Sequence, residues 1–120
     1  MRMQLTNASD YYHIVDNMVG EFEYLILSAA ARLGDDAYGA AIRREVEEAT
    51  KRRCSIGALY TTLDRLQNKG LVETWMGEAT PQRGGRAKRM VRVTKKGAQE
   101  ASSFYRAIMR ASRNVSWGMQ

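Results

Sequence analysis

Apolar residues recur along the chain at two different periods, and the change of period divides it. Phe22, Leu25, Ile26, Ala29, Ala30 and Leu33 form a helical stripe that Gly34 ends as a left-handed cap would. Asp35 and Asp36 stand where helix caps and first-turn acids are favoured, and Tyr38, Ala41, Ile42, Val46 and Ala49 make a second stripe. Ser55 caps a third helix whose inner face is Ile56, Leu59, Leu63 and Leu66, with Gly70 at its end. After that the pattern turns to strands, Leu71–Met76 and Met90–Val93, around a loop from Gly77 to Lys88 that holds Pro81 and Gly84-Gly85. Thr94 caps a last helix from about Lys95 to Asn114, with Ala98, Ala101, Tyr105, Ile108, Ser112 and Val115 along one side. A weaker helical pattern at Tyr11, Ile14, Val15 and Met18 precedes all of these, and Gly20 interrupts it.

The order helix-helix-helix-strand-loop-strand-helix predicts a mainly α (α+β) chain. It is a winged helix-turn-helix with a two-stranded wing and an added C-terminal dimerisation helix. The expected division is an N-terminal extension over 1–19, a winged-helix DNA-binding domain over 20–94, and a dimerisation helix and tail over 95–120.

Composition narrows the function. The longest nearly uncharged apolar stretch, Tyr24 to Ala31, is too short for a bilayer span, and no secretory pattern precedes it. One cysteine, Cys54, allows neither an intrachain disulfide nor a cysteine cluster for zinc, so a cytoplasmic setting is expected. His13 is the single histidine and has no nucleophile beside it. No glycine-rich nucleotide loop or paired-carboxylate arrangement stands out, so neither an enzyme nor a cofactor is expected. Arg52, Arg53 and a helix N-terminus beside Cys54 would lower a thiol pKa and suit redox sensing; the competing expectation is a small buried residue.

The net charge of +6 is placed unevenly: after Thr80 the only acid is Glu100, against ten lysines and arginines. That asymmetry points to a polyanion partner. The third helix supplies a reading face in Ala58, Thr61, Thr62, Arg65, Asn68 and Lys69, with Asp64 toward its edge. Small residues near a helix N-terminus permit close approach to a duplex, and hydroxyls, amides and a forked arginine reach phosphates or base edges. Ser55 and the free first-turn N–H groups suit a phosphate, and Gly57 has no side chain where backbone contact would be closest. In the loop, Arg83, Arg86, Lys88 and Arg89 crowd around two glycines, which is tolerable when a polyanion neutralises them.

These segments resemble the PadR family of bacterial transcriptional regulators. The likeness rests on Tyr38-Gly39, Ser55-Ile-Gly-Ala-Leu-Tyr-Thr-Thr-Leu-Asp-Arg-Leu66, Lys69-Gly-Leu71, Arg83-Gly-Gly-Arg86 and Val93-Thr-Lys-Lys-Gly97. It implies a winged-helix homodimer that represses promoters, with contacts to double-stranded DNA at Tyr38, Ser55, Gly57, Tyr60 and Thr61, and at Gly84, Gly85, Arg86 and Lys88 in the wing. Met90 departs from the family pattern, which often has an aromatic there. Tyr38 and Tyr60 also lie on apolar stripes and admit a core role.

The last helix is longer than the core needs, and its apolar surface is broad. Phe104, Tyr105, Ile108, Met109 and Ser112 would meet a second copy, the alternative being a helix folded back on its own subunit. Some PadR-type regulators bind a small aromatic effector near this interface, and Phe104, Met109 and Trp117 have suitable chemistry. A winged-helix protein-interaction module and a structured-RNA binder compete with the DNA reading.

Overall fold

Helix α1 (Glu21–Leu33) lies at the centre of the chain, touching all three other helices and the second wing strand in a computed structural model that describes residues 18–78 and 87–118. Around it are α2 (Gly39–Thr50), α3 (Ile56–Asn68), β1 (Val72–Met76), β2 (Arg89–Val93) and α4 (Lys95–Ala111). The expected N-terminal helix at 10–18 falls almost wholly outside the described residues. Ile26 and Leu27 of α1 are buried with Ile42 of α2, Leu59, Leu63 and Leu66 of α3, and Val91 of β2. Burial of each such side chain stabilises the fold by roughly 1.5–3 kcal/mol.

Four local expectations need correction. Leu27 and Glu23 are buried on α1 although neither belongs to the predicted stripe, because a helix enclosed by several neighbours hides more than one face. Asp35 and Asp36 do not cap α2; they form a 3₁₀ turn with Gly34, and α2 begins after Tyr38 without a side-chain cap. The delay arises because the Val91 N–H donates to the Ala37 carbonyl (3.0 Å) and Tyr38 bridges Met90, so the segment before α2 is held extended against β2. On α3, Ile56 is 52% exposed and Thr62 only 5%: the inner line is Leu59, Thr62, Leu63 and Leu66, and the first residue of the helix precedes it. Ala49 is exposed and merely borders the groove between α1 and α2.

The turn between α2 and α3 is clamped through its backbone. Arg43 Nε donates to the Cys54 carbonyl at 2.7 Å, and the Cys54 N–H donates to Glu47 Oε2 at 2.9 Å. Arg43 and Glu47, one helical turn apart, thus satisfy both polar groups of a buried residue that no regular element can satisfy. The Cys54 thiol is buried, and burial followed by the charge of Glu47 pushes its pKa up, against the smaller opposite pull of Arg43. Burial and a raised pKa both run against the exposed, low-pKa thiol that redox sensing needs.

The far end of α3 is anchored to α1. Lys69 Nζ meets Glu23 Oε2 at 2.9 Å and Oε1 at 3.2 Å, and the Gly20 N–H donates to the same carboxylate at 2.9 Å. Burial alone would raise the Glu23 pKa; these hydrogen bonds and the nearby charges outweigh it and hold the group below its ordinary value of 4.5.

The wing is antiparallel, pairing Val72 with Val93 and Trp75 with Met90. Thr94 caps α4 by accepting from the Gly97 N–H at 3.0 Å, and its hydroxyl donates to the Gly70 carbonyl at 2.7 Å. A side chain at Gly97 would overlap the Leu71 carbonyl, so the close seat of α4 on the start of β1 requires glycine. Only Ala101, Phe104 and Ala107 continue the inner line of α4, with Phe104 5.1 Å from Tyr24 between ring centroids. Ala98 and Tyr105 are exposed, contrary to the predicted stripe, because the first half of α4 alone packs on α1.

Two measurements follow from these contacts. Glu23→Gln should lose about 1–2 kcal/mol at neutral pH, discounted from a fully buried pair because the Lys69 side chain is 39% exposed. A depressed carboxylate stabilises above its unfolded pKa and loses that contribution as pH falls through its folded value. The gap between wild type and variant in urea titrations should therefore close below pH 4.5, and a gap unchanged down to pH 3 would contradict the anchor. A disulfide-exchange reagent at neutral pH should label Cys54 far more slowly in native than in unfolded protein; equal rates would show that the thiol is open.

Candidate DNA interface

Helix α3 is the element from which the site is built, because both its ends are tied down while its outer face is left uncovered. Ser55 Oγ accepts from the Ala58 N–H at 3.0 Å, the N-cap bond expected of this residue. Ser55, Gly57, Ala58, Thr61 and Arg65 are all exposed, as are Gln67 and Asn68. Thr62 is withdrawn into the core and leaves the proposed reading face. A side chain at Gly57 would meet only Ser55 Oγ, at 3.9 Å, so nothing within the described chain explains the absence of one.

The base of the wing is fastened to the same helix. Arg89 Nη2 donates to Asp64 at 2.8 Å and lies 3.4 Å from both Gln67 Oε1 and Thr74 Oγ1. The Thr74 hydroxyl donates to Gln67 in turn. Arg89 is thus a strut between β2 and α3, not one of four loose wing cations, and Asp64 serves as its counter-ion. Tyr60 lies under this strut, with the Arg89 guanidinium 5.8 Å from its ring centre. Its hydroxyl rests on the start of α2, where a Cβ at Gly39 would come within 2.5 Å of it. Tyr60 is half-buried and joins α2, α3 and the wing.

Tyr38 stands at the N-terminus of α2 and is not a core residue. Arg44 Nη2 donates to its hydroxyl oxygen at 3.2 Å, and Lys88 Nζ lies 4.2 Å from its ring centre. The Arg44 hydrogen bond, then the positive charges of Lys88 and Arg44, lower the phenol pKa from its ordinary 10.0. Arg44 was not visible as a site residue in the sequence, since it reads there as one charge among the many on α2. A cation hydrogen-bonded to a phenol six residues earlier has no local sequence signal.

Arg83, Gly84, Gly85 and Arg86, which the sequence assigns to the wing loop, lie outside the described residues. On α4, Phe104 faces α1, whereas Tyr105, Ile108 and Met109 are about half exposed and Ser112 is exposed. Trp117 is 77% exposed beyond the helix. Phe104 thus packs against the core of its own chain, whereas Met109 is about half exposed and Trp117 largely exposed. Among the described residues no group of His, Cys, Asp and Glu could hold a metal ion, and no helix is long and apolar enough to cross a membrane.

Comparisons with known proteins find solved structures of the same fold. RosR of H. salinarum is 27% identical, with a TM-score of 0.57 over 83% of each chain. A PadR family regulator from hypervirulent Clostridium difficile R20291 is 25% identical, with a TM-score of 0.57 over 78% of this chain and 95% of that one. The PadR-like transcription factor of B. fragilis, 23% identical, shares the fold with a TM-score of 0.64 over 88% of this chain and 93% of its own. No curated protein sequence matches the chain. The likeness to an archaeal protein such as RosR withdraws the expectation that the family alone assigns a bacterial source. The model of the transcriptional regulator PadR-like family matches residues 26–103, and the chain belongs to that family of regulators.

Proposed function

We propose that this chain represses transcription by binding double-stranded DNA as a homodimer, with α3 in the major groove and the wing along the adjacent backbone. The carrying observation is the open position at Gly57 on an exposed helix face whose flank is fastened to a cationic wing base. A helix kept bare there lets its backbone approach a duplex. Ser55 and the first-turn N–H groups then meet a phosphate, Ala58 gives clearance, and Thr61 and Arg65 face base edges. Tyr38, Tyr60 and Lys88 border the same face on the wing side, and Arg83, Gly84, Gly85 and Arg86 extend it along the duplex. Arg52 and Arg53, exposed before Ser55, make no ion pair among the described residues and add to the positive field.

The dimer reading rests on α4. Tyr105, Ile108 and Met109 on this helix, and Val115 just past its end, are each 45–53% exposed, an apolar surface on an element that is already partly seated. A second copy covers such a face by two-fold symmetry and sets two α3 helices about one duplex turn apart. A site for a small aromatic effector would need both copies, because within one chain Phe104 packs against the core and Met109 is about half exposed.

Selection of bound sites from random duplexes should return a pseudo-palindrome with half-sites about 10 bp apart. Single-sided sites, or retention of duplex RNA in preference to DNA, would defeat the proposal. Gly57→Ala should weaken binding to the selected site while leaving stability unchanged or raised by up to about 1 kcal/mol. Binding equal to wild type would mean that α3 does not approach the duplex there. Ile108→Glu should convert a dimer to monomers in sedimentation equilibrium, and a wild-type chain already monomeric at the same concentration would remove α4 as an interface.

A further inference from the structure

Arg44 makes an unusual choice of partner. The carboxylate one turn ahead, Glu48, is paired with Lys51 at 2.7 Å, and the neighbouring Arg43 is committed to Cys54 and Glu47. Arg44 turns back six residues to a neutral phenol, which is already covered by a second cation, Lys88. Among the described residues neither cation forms an ion pair with a carboxylate. Two cations and a hydroxyl therefore converge on an exposed spot with no negative charge between them. Like charges repel at this separation, and an anion from outside relieves the repulsion.

We propose that Arg44 is a positioning residue that, together with Lys88, makes the Tyr38 hydroxyl the donor to one backbone phosphodiester of bound DNA. The proposal rests on the DNA-binding reading given above and assigns it a contact outside α3. Arg44 donates to a lone pair of the Tyr38 oxygen, which leaves the phenolic O–H to point outward. The adjacent positive charges make that proton a stronger donor, consistent with the direction in which they move the phenol pKa. Lys88 lies over the ring and restricts its swing, and Tyr38 is fixed from behind by its bridge to Met90. A phosphate held there sets the register of the protein on the duplex and carries no base preference.

The test separates this inference from the reading beneath it. In the free protein, the tyrosinate absorbance that disappears in Tyr38→Phe identifies the Tyr38 titration, and Arg44→Gln should shift it to higher pH. In fluorescence anisotropy with a mixed-sequence duplex, Tyr38→Phe and Arg44→Gln should each weaken binding about tenfold. Their double variant should lose clearly less than the product of the two effects. The slope of log affinity against log salt should fall by about 0.9 in Arg44→Gln, and Arg44→Lys, which keeps the charge, should restore it. Thermal melting should change little in all of them, because Arg44 is exposed and Tyr38→Phe keeps the partly buried ring. Additive losses, an unmoved tyrosine titration, or weakening by Tyr38→Phe alone would overturn the role of Arg44 and leave the docking of α3 standing. Full binding by Tyr38→Phe, Arg44→Gln and Gly57→Ala together would sink the docking as well.

Discussion

Everything in this fold depends on α1 being enclosed. Its side chains Ile26 and Leu27 are completely buried, and every other helix and the second wing strand pack against it. A close-packed interior leaves little freedom in how its elements sit, so enclosing one helix fixes the directions of the others. The same helix provides the buried Glu23 that holds Lys69 at the far end of α3. With Arg43 and Glu47 clamping Cys54 just before its near end, α3 is held at both termini by residues that take no part in its outer face. That division of labour frees Gly57, Ala58, Thr61 and Arg65 from structural duty and leaves Ser55 only its cap.

The basic character of the chain takes on meaning only when its cations are sorted by what they touch. Arg43, Lys69, Arg89 and Arg92 are paired within the fold, to Glu47, Glu23, Asp64 and Glu73. Arg92 additionally lies over Trp75, 5.4 Å from its ring centre. Arg44, Arg52, Arg53 and Lys88 have no carboxylate partner among the described residues, and they border α3 or the start of α2. A field that attracts a polyanion comes from the second group, because the first is largely neutralised by its neighbours. Arg89 illustrates the distinction. As a charge count it looks available for DNA; as a contact it is the strut that keeps wing and helix in one plane of approach.

Helix α4 is divided between two tasks. Gly97, Ala101 and Phe104 seat its first half on β1 and α1, which needs small residues near the strand and one ring against Tyr24. Beyond Phe104 only Ala107 stays partly buried, while the apolar side chains of Tyr105, Ile108 and Met109 are about half exposed. A broad amphipathic pattern in the sequence therefore contained two separate faces, one for this chain and one left over.

The sequence by itself determined the order and type of the elements, the caps at Ser55 and Thr94, the buried leucines of α3, and the family. These are written in short-range periodicity and local hydrogen bonding, which a linear reading captures. It also placed Gly57, Thr61 and Arg65 on the outside, since helical spacing separates them from Leu59, Leu63 and Leu66. Only the tertiary structure decided which cations are paired among the described residues, that Asp64 beside the exposed face of α3 is the counter-ion of Arg89, and that Arg44 and Lys88 share Tyr38. Those pairings join residues separated by 25 positions (Asp64 with Arg89) or by twice that distance along the chain (Tyr38 with Lys88). Charge interactions depend on distance in space, and the distances arise only once α1 is enclosed and the wing is laid beside α3.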